Sequence, residues 1–298
     1  MTQTPSSKSL RFLRTLRVAL HLVWGLFIAG ILFRITPRPW HKRMAQRWSE
    51  KMLGIFGVDI HLHGTMPSLD TRGVVIVSNH VSWLDIWLVY SIRPPRFISK
   101  ADVRKWPIIG WLALQSGTLF IRRDQRRHTA AINRQAAELL AQGECIGLFP
   151  EGTTTNGLYM LPFHSSLFQA AVMHQAPVVM LAIRYLLLDG SIDTAPAYYG
   201  GLSLLDSFRA VLSRRRIHVE VTCVGTLDTH GKTRREVSLA AESAIANHLN
   251  LPVPHKTLET PADPPSAVPS TVHPTDSPYL TPHDDSPRAA QAPTNGQR

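Results

Sequence analysis

The stretch VVIVSNHVSWLDIWLVY, residues 74–90, decides how this chain folds. Four apolar, β-branched residues at 74–77 precede a polar Ser-Asn-His segment, and this pattern predicts a buried strand. The segment at 78–80 then predicts a turn into a helix, because apolar residues recur up to residue 90. A strand that runs into a helix in this way is typical of an α/β domain.

His80 and Asp85 are the polar pair in this stretch with an obvious chemical use. A neutral imidazole can accept a proton from a hydroxyl, and a carboxylate can hold its tautomer and stabilise the imidazolium. On a straight helix, five residues turn through roughly 500°, at about 100° per residue, which would separate the two side chains. They can therefore meet only if His80 lies in the turn, before the helix begins.

The same residues also fit a purely structural interpretation. The segment from Ser82 to Asp85 matches a capping box, with Ser82 as the N-cap and Asp85 at the third helical position. Asp85 would then only satisfy a backbone N–H group, and His80 would be an ordinary loop residue. The spacing of this one motif leaves both interpretations open.

The composition predicts one large domain with appendages. The chain has 298 residues, of which 44% are hydrophobic, enough for a substantial core. Its two cysteines, Cys145 and Cys223, lie in apolar, strand-like runs. We therefore predict buried thiols rather than a disulfide or a metal site.

The net charge of +11 is placed unevenly along the chain. Residues 1–51 contain ten Lys and Arg against one Glu, a net +9, and residues 251–298 contain three against five Asp and Glu, a net −2. A basic chain can bind nucleic acid. Here the positive charge alternates with long apolar runs, which favours an anionic membrane surface as the partner. Nucleic acid is not expected as a partner.

Residues 1–56 are predicted to anchor the chain to a membrane. The apolar run at 18–33 is flanked by basic residues on both sides, and its sixteen residues fall short of the about 20 that a spanning helix needs. Both ends can therefore lie on the cytoplasmic face, here expected to be that of a bacterial inner membrane. The helix predicted at 41–56 is either interfacial or packed on the domain. Its apolar face carries Met44, Trp48, Met52 and Phe56.

The rest of the chain alternates strands with helices, which predicts an α/β domain with a mixed, mostly parallel sheet flanked by helices. From residue 251 the composition changes, because eleven of the 22 prolines lie in 251–298. We predict an α/β domain at 57–250 and a disordered, non-catalytic tail at 251–298. Strands are predicted at 58–63, 74–77, 96–99, 118–121, 145–149, 178–185 and 217–224, and helices at 126–142, 163–174 and 230–249.

Three further stretches carry chemically useful residues. GTLFIRR at 117–123 ends a strand with two guanidinium groups, which can bind a phosphate or a carboxylate. FPEGTTT at 149–155 places a carboxylate, a glycine turn and three hydroxyls at the end of another strand. APVVM at 176–180 enters a strand through a proline, which is tolerated at its first residue.

Taken in order, these motifs resemble the glycerolipid acyltransferase family, of which 1-acylglycerol-3-phosphate O-acyltransferase is the best-known member. The resemblance covers residues 58–224 and rests on four blocks. They are N-H-x-x-x-x-D at Asn79, His80 and Asp85; G-x-x-F-[IV]-x-R at Gly117, Phe120, Ile121 and Arg123; F-P-E-G-T at 149–153; and the apolar strand with Pro177.

The resemblance implies that an acyl chain moves from a thioester of coenzyme A or acyl carrier protein to the hydroxyl of a lysolipid, without a cofactor or a metal. His80 would be the general base, and Asp85 would orient it. No acyl-enzyme is implied, and the chain contains no G-x-S-x-G motif. Residues expected to bind the substrate are Lys100, Arg122 and Arg123 at the acceptor's anionic head, and Glu151, Gly152 and Thr153 along the acceptor site.

One position departs from the family pattern. Members that form phosphatidate commonly have arginine directly after F-P-E-G-T, whereas this chain has Thr154. The stretch at 153–169 is similar to members that acylate lyso-ornithine lipid. Phosphatidate synthesis stays the first expectation because it is the commoner activity, with the lyso-ornithine lipid as the alternative.

Three other classes of function are compatible with parts of the sequence. A membrane-bound esterase or thioesterase would use the same His80 with water in place of the acceptor. A non-catalytic lipid-binding protein would not need the His80 and Asp85 pair. A nucleic-acid-binding protein is supported by the charge alone.

Overall fold

The computed structural model describes residues 5–68, 70–122 and 124–259. Helices and strands alternate through most of this range. The strands are β1 (Val58–His63), β2 (Val75–Ser78), β3 (Arg96–Lys100), β4 (Leu119–Ile121), β5 (Ile146–Leu148), β6 (Val178–Leu186) and β7 (Ile217–Leu227). The helices are α1 (Lys8–Phe27), α2 (Phe33–Ile35), α3 (Arg38–Phe56), α4 (Leu84–Ile92), α5 (Ile109–Gln115), α6 (Arg126–Ala141), α7 (Gln169–His174), α8 (Leu204–Ser213), α9 (Arg234–Leu249) and α10 (Pro254–Glu259).

The seven strands form one sheet in the order β1-β7-β6-β2-β5-β3-β4. Every neighbouring pair is parallel except β6 with β7, which is antiparallel. The predicted α/β fold with a mixed, mostly parallel sheet is therefore confirmed. The carboxyl ends of β2, β5, β3 and β4 meet at one edge of the sheet, and the predicted site residues follow these four ends.

Helices cover both faces of the central strands β2, β5 and β6, whose sequences are nearly all apolar, whereas β1 and β7 alternate apolar and polar residues. One apolar cluster joins the sheet to α3 and α4, and the other joins it to α6, α7 and α9. α6 is an example of such a covering helix, because Ala136 and Leu140 on its apolar stripe are buried. Cys145 and Cys223 are both buried, free thiols, as predicted.

The N-terminal helix runs without a break over Lys8–Ile35, through a π-helical segment at Ile28–Leu32. Its 28 residues include an 18-residue window with a mean hydropathy of 2.0, which makes it long and apolar enough to cross a membrane, by length and composition. It is longer than the predicted apolar run because the helix extends through the basic residues that precede that run. Arg14 is buried and donates hydrogen bonds to the carbonyl oxygens of Arg214 and Arg215, at 2.7 and 2.8 Å.

α3 returns alongside this helix and packs on the domain. His21 and Trp48 stack with ring centroids 5.0 Å apart and exchange two hydrogen bonds with each other's backbone carbonyl groups. Met52 and Phe56 are completely buried. Of the two interpretations of this helix, packing on the domain is therefore the one that the structure supports, because no part of these two side chains is left for a membrane.

The structure differs from the prediction in several local elements. Neither α5, which begins two residues after Pro107, nor α8 was predicted. The helix expected at 163–174 divides into a 3₁₀ helix, Ser165–Phe168, and α7. α9 begins at Arg234 rather than at 230, since Thr233 and Glu236 form a capping box there.

Order continues beyond residue 250, where the domain was predicted to end. The buried Glu242 accepts hydrogen bonds from the backbone N–H groups of Phe163 and His255 and from Nδ1 of His255, at 2.6, 3.0 and 2.7 Å. These bonds hold the start of α10 against α9. The rest of the predicted tail, from residue 260, lies outside the described residues.

Candidate active site

The turn between β2 and α4 brings His80 and Asp85 together. β2 ends at Ser78 and α4 begins at Leu84, so His80 lies in the turn rather than on the helix. The distance from Nδ1 of His80 to Oδ2 of Asp85 is 2.9 Å. Because a carboxylate only accepts hydrogen bonds, Nδ1 carries the hydrogen and Nε2 is the basic nitrogen. This is the geometry required of a base and the group that orients it.

Asp85 also holds the backbone of the turn. Its Oδ2 accepts hydrogen bonds from the N–H groups of Val81 and Ser82, at 2.7 and 2.8 Å. The side chain of Ser82 in turn accepts from the N–H of Leu84, at 3.2 Å. The predicted capping box is therefore only half formed, because the N-cap of α4 is Trp83 rather than Ser82. Asp85 nevertheless binds backbone N–H groups and His80 at once, so the two interpretations of the motif are not exclusive.

Tyr185 occupies the other oxygen of Asp85. Its hydroxyl donates to Oδ1 of Asp85 at 2.6 Å, and the whole side chain is buried on β6. Burial raises the pKa of Tyr185 well above its usual value, so the hydroxyl keeps its proton and acts as a donor. We did not predict this contact, because a tyrosine in an apolar strand suggests a core residue. The one available signal was that a buried tyrosine hydroxyl usually has a partner.

Two phenylalanines fix the plane of the His80 ring. Phe149 stacks on the imidazole with ring centroids 4.0 Å apart and 13° between the planes. Phe97 stacks on the far side of Phe149 at 5.3 Å. With Nδ1 on Asp85, this stack leaves the imidazole little freedom to rotate. Nε2 of His80 makes no hydrogen bond within the part of the chain that the structure describes.

The segment FPEGTTT at 149–155 holds the backbone of His80 at both of its polar groups. Oε1 of Glu151 accepts the N–H of His80 at 2.7 Å, and the N–H of Thr155 donates to the carbonyl oxygen of His80 at 2.9 Å. The second oxygen of Glu151 accepts the N–H of Leu161 at 2.8 Å. Gly152 makes the turn possible because its φ of +77° is unfavourable for other residues.

This geometry bears on the expectation that Glu151 lines the acceptor site. Its side chain is only 3% exposed, and both of its oxygens accept hydrogen bonds from the backbone. Burial raises the pKa of Glu151 to about 8, against the opposing effect of the two N–H groups. Glu151 is therefore placed to position His80 rather than to contact a ligand. Thr153 is exposed, and the hydroxyl of Thr154 donates to the carbonyl oxygen of Tyr198.

Asn79, the first residue of the histidine motif, is buried and pairs with a backbone group on β6. Its side-chain amide donates to the carbonyl oxygen of Ile183 at 2.9 Å and accepts the N–H of the same residue at 2.8 Å. These two hydrogen bonds continue the β2–β6 pairing beyond the end of β2. It fixes the point at which the chain leaves the sheet and turns to His80.

The candidate cationic residues lie along the same edge of the sheet, away from His80. Lys100 ends β3, and Arg122 follows β4 and is exposed. β3 and β4 are two and three strands from β2, which is about 10 and 14 Å at roughly 4.8 Å per strand. The structure thus places Lys100 and Arg122 on the His80 edge without bringing them into contact with the imidazole. Arg123 lies outside the described residues.

Comparison with known proteins places this site in a family. A family profile described as Acyltransferase matches residues 59–184. The lyso-ornithine lipid O-acyltransferase of Pseudomonas aeruginosa is 34% identical over 207 residues, covering 70% of this chain and 78% of that protein. The 1-acyl-sn-glycerol-3-phosphate acyltransferase of Neisseria gonorrhoeae is 35% identical over 172 residues, covering 57% of this chain and 67% of that protein.

The fold is similar to that of a solved structure. The crystal structure of PlsC from Thermotoga maritima, a 1-acyl-sn-glycerophosphate acyltransferase, superimposes with a TM-score of 0.55. The match covers 84% of this chain and 99% of that one, at 21% sequence identity, so it supports the fold alone. The extent and identity of the sequence matches, together with the paired His80 and Asp85, show that this chain belongs to the acyltransferase family whose motifs it carries, the glycerolipid acyltransferases.

Proposed function

We propose that this acyltransferase moves a fatty acyl chain from a thioester of coenzyme A or acyl carrier protein to the hydroxyl of a lysolipid. The observation that carries this proposal is the 2.9 Å contact between His80 and Asp85 in a turn at the carboxyl edge of the sheet. A base of this kind suits a reaction in which a neutral hydroxyl becomes a nucleophile. The thioester supplies a good leaving group, so the acyl chain can pass directly to the acceptor without a covalent enzyme intermediate.

We propose the following path for the proton and the acyl group. Nε2 of His80 accepts the proton of the acceptor hydroxyl as its oxygen attacks the thioester carbonyl and forms the new C–O bond. Asp85 holds the Nδ1 hydrogen and stabilises the imidazolium that results. When the tetrahedral intermediate collapses, the C–S bond breaks and the imidazolium returns the proton to the sulfur. His80 is neutral again at the end of each cycle.

We propose 1-acylglycerol-3-phosphate as the first candidate acceptor, with phosphatidate as the product. Its phosphate is an anion separated from the reacting hydroxyl by the glycerol unit. Lys100 ends β3 and Arg122 follows β4 on the His80 edge of the sheet, where they can bind such an anion. Arg123 comes next in the sequence and carries the same charge. The relative from Neisseria gonorrhoeae carries the name of this activity.

Lyso-ornithine lipid is the second candidate, and Thr154 favours it. The side chain of Thr154 donates to the backbone of Tyr198 and supplies no positive charge at a position where phosphatidate-forming relatives commonly have arginine. The head of this lipid is zwitterionic, so it needs less positive charge than a phosphate. The relative from Pseudomonas aeruginosa, which matches a longer part of this chain, carries the name of this activity.

We further propose that the N-terminal helix, Lys8–Ile35, holds the enzyme at the cytoplasmic face of a bacterial inner membrane. One face of this helix exposes large apolar side chains to the surroundings, although the helix packs on α3 with the other. The substrate and the product of the proposed reaction both reside in a bilayer. The exposed residues of this face include Phe12, Leu16, Leu20, Val23, Phe27, Ile31 and Ile35.

An acceptor panel tests these proposals. Purified enzyme in mixed micelles is given lysophosphatidate, other lysophospholipids or lyso-ornithine lipid, each with acyl-CoA and with acyl carrier protein as the donor. The product is measured by mass spectrometry. Acylation of lysophosphatidate at the highest kcat/KM supports the first candidate, and preference for lyso-ornithine lipid supports the second. Rapid release of free fatty acid without any acceptor would instead indicate a thioesterase.

A further inference from the structure

The connection between β3 and β4 contains a run of ten uncharged residues, WPIIGWLALQ at 106–115. This run forms a tight turn and the short helix α5. Three of its large apolar side chains remain in contact with solvent. Ile108 is 45% exposed, Trp111 is 37% exposed and Leu114 is 42% exposed. Trp111 and Leu114 are three residues apart and lie on one side of the helix, and Ile108 lies in the turn before it.

An apolar outer face is unusual for a helix on the surface of a domain. Such a helix normally buries its apolar stripe and presents polar side chains outward. α6, which follows the next strand, obeys this rule, because Arg127, Arg134 and Glu138 are exposed whereas Ala136 and Leu140 are buried. α5 does not, so its outer face is suited to an apolar environment.

The turn before α5 presents an isoleucine in a strained backbone conformation. Ile108 has φ +63° and ψ −59°, and the N–H of Ile109 donates to the carbonyl oxygen of Pro107 at 2.6 Å. This is a γ-turn with positive φ, which is rare and strained, and a β-branched residue is poorly suited to it. Strain of this kind persists where surrounding structure or function requires it. Here it directs an apolar side chain outward.

This apolar face continues onto the N-terminal helix. The ring of Trp111 packs against Gly30. If residue 30 had a Cβ atom, that atom would lie 3.4 Å from the ring. Phe27 and Ile31 are exposed on the adjoining part of the same helix. α5 and the N-terminal helix therefore share one apolar surface rather than two separate patches.

Basic residues lie beside this surface. Arg104 and Lys105 directly precede the uncharged run, and both are exposed. Asp102 lies 3.8 Å from Lys105 and offsets part of this charge. Tryptophan and aliphatic side chains bordered by Arg and Lys are the composition that binds the interface of an anionic bilayer. A protein partner would not require this combination.

We propose that α5 and the Ile108 turn form a second membrane-contacting element, which inserts into the interface of an anionic bilayer beside the N-terminal helix. This inference rests on the proposed membrane anchoring and adds to it. A single anchoring helix leaves the domain free to rotate about the helix axis. A second contact away from that axis removes this rotation. The strand edge that carries His80 then keeps one orientation towards the lipid acceptor.

The test places one environment-sensitive fluorophore at a time on a new cysteine in the full-length protein. Cys145 and Cys223 are buried, and burial raises the pKa of Cys145 to about 12, so the introduced thiol is the one that reacts. The test site is Ile108→Cys. The reference site on the N-terminal helix is Val23→Cys. The control is Met173→Cys, an exposed apolar residue at the opposite edge of the sheet.

Vesicles of phosphatidylglycerol and phosphatidylcholine, with and without nitroxide-labelled lipid, are the probe. At Ile108→Cys and Val23→Cys we expect the fluorescence emission to shift to shorter wavelengths and to be quenched by the nitroxide lipid. At Met173→Cys we expect neither change. If Val23→Cys inserts while Ile108→Cys stays in water, the second contact is wrong and the anchoring helix stands. If neither inserts, membrane anchoring itself is wrong.

A second variant gives an independent measurement. Ile108→Gly removes the inserting side chain and relaxes the positive φ, so the fold should be at least as stable. We expect its partitioning into the same vesicles to fall roughly tenfold, the loss expected when an isoleucine no longer leaves water. The acceptor KM should rise and the donor KM should stay constant. Unchanged partitioning of Ile108→Gly would overturn the proposal. So would an emission shift at residue 108 that appears at high protein concentration without vesicles, because the apolar face would then bind another copy of the chain.

Discussion

Replacing Tyr185 by phenylalanine tests whether the second oxygen of Asp85 matters for catalysis. The ring stays in place, and the only loss is a hydroxyl that donates to Oδ1 at 2.6 Å. A hydrogen bond to a charged group contributes about 1.5–3 kcal/mol. If the whole of this is lost in the transition state, kcat falls roughly ten- to a hundredfold, at about 1.4 kcal/mol per factor of ten. KM for both substrates should stay nearly constant, because Tyr185 is buried away from them.

The assay is the initial rate of lysolipid acylation in mixed micelles, together with the melting temperature of each variant. Tyr90→Phe is the matched control, since it also removes a buried tyrosine hydroxyl, but one that does not contact His80 or Asp85. In an Asp85→Asn background, Tyr185→Phe should cost much less activity, because the two residues act through one carboxylate. Non-additivity of this kind distinguishes positioning of Asp85 from a general loss of packing.

Two results would refute this reasoning. One is that Tyr185→Phe lowers the melting temperature and leaves kcat intact, which would make the hydroxyl purely structural. The other is that Tyr90→Phe and Tyr185→Phe reduce kcat equally, which would trace the loss to the core and not to Asp85.

Five further outcomes are expected. His80→Ala should lower the transfer rate by about 10²–10⁴ without unfolding the protein, and activity within tenfold of wild type would remove it from the mechanism. The pKa of Glu151 is about 8 in the folded protein, against 4.5 for an ordinary glutamate, so its contribution to stability is fully present below pH 4.5 and is lost as the pH rises to 8. Urea unfolding should therefore show that wild type loses stability relative to Glu151→Gln between pH 4.5 and pH 8. Arg123→Lys should raise the acceptor KM roughly ten- to a hundredfold and spare the donor KM, since lysine cannot form a bidentate pair; an effect on the donor alone would place this arginine at the thioester. Thr154→Arg should improve or preserve use of lysophosphatidate, and if the natural head is zwitterionic it should impair use of the native acceptor. Deleting residues 260–298 should change neither activity nor melting temperature, and lost activity would show that the tail takes part.

Much of the fold could be predicted from local patterns. The strands at 58–63 and 178–185 and the helix at 126–142 agree with β1, β6 and α6 to within a residue or so. Periodicity succeeds at these places because the burial of a segment is recorded in its own residues. It missed α5, whose exposed apolar face breaks the pattern of a surface helix, and α8.

The sequence by itself also determined the pair at the centre of the candidate site. His80 and Asp85 are five residues apart, so one turn suffices to bring them together, and the order of four short motifs indicated the family. The same local chemistry predicted buried cysteines and an apolar N-terminal helix. None of these inferences required the position of a distant segment.

Only the tertiary structure decided which distant groups complete the site. Tyr185 reaches Asp85 from 100 residues away, and Glu151 reaches the backbone of His80 from 71 residues away. Both contacts exist because β6 and β5 flank β2 in the sheet, and strand order is not recorded in the periodicity of any single strand. A residue pattern reports that a side chain is buried, whereas its hydrogen-bond partner depends on which strands the chain places side by side.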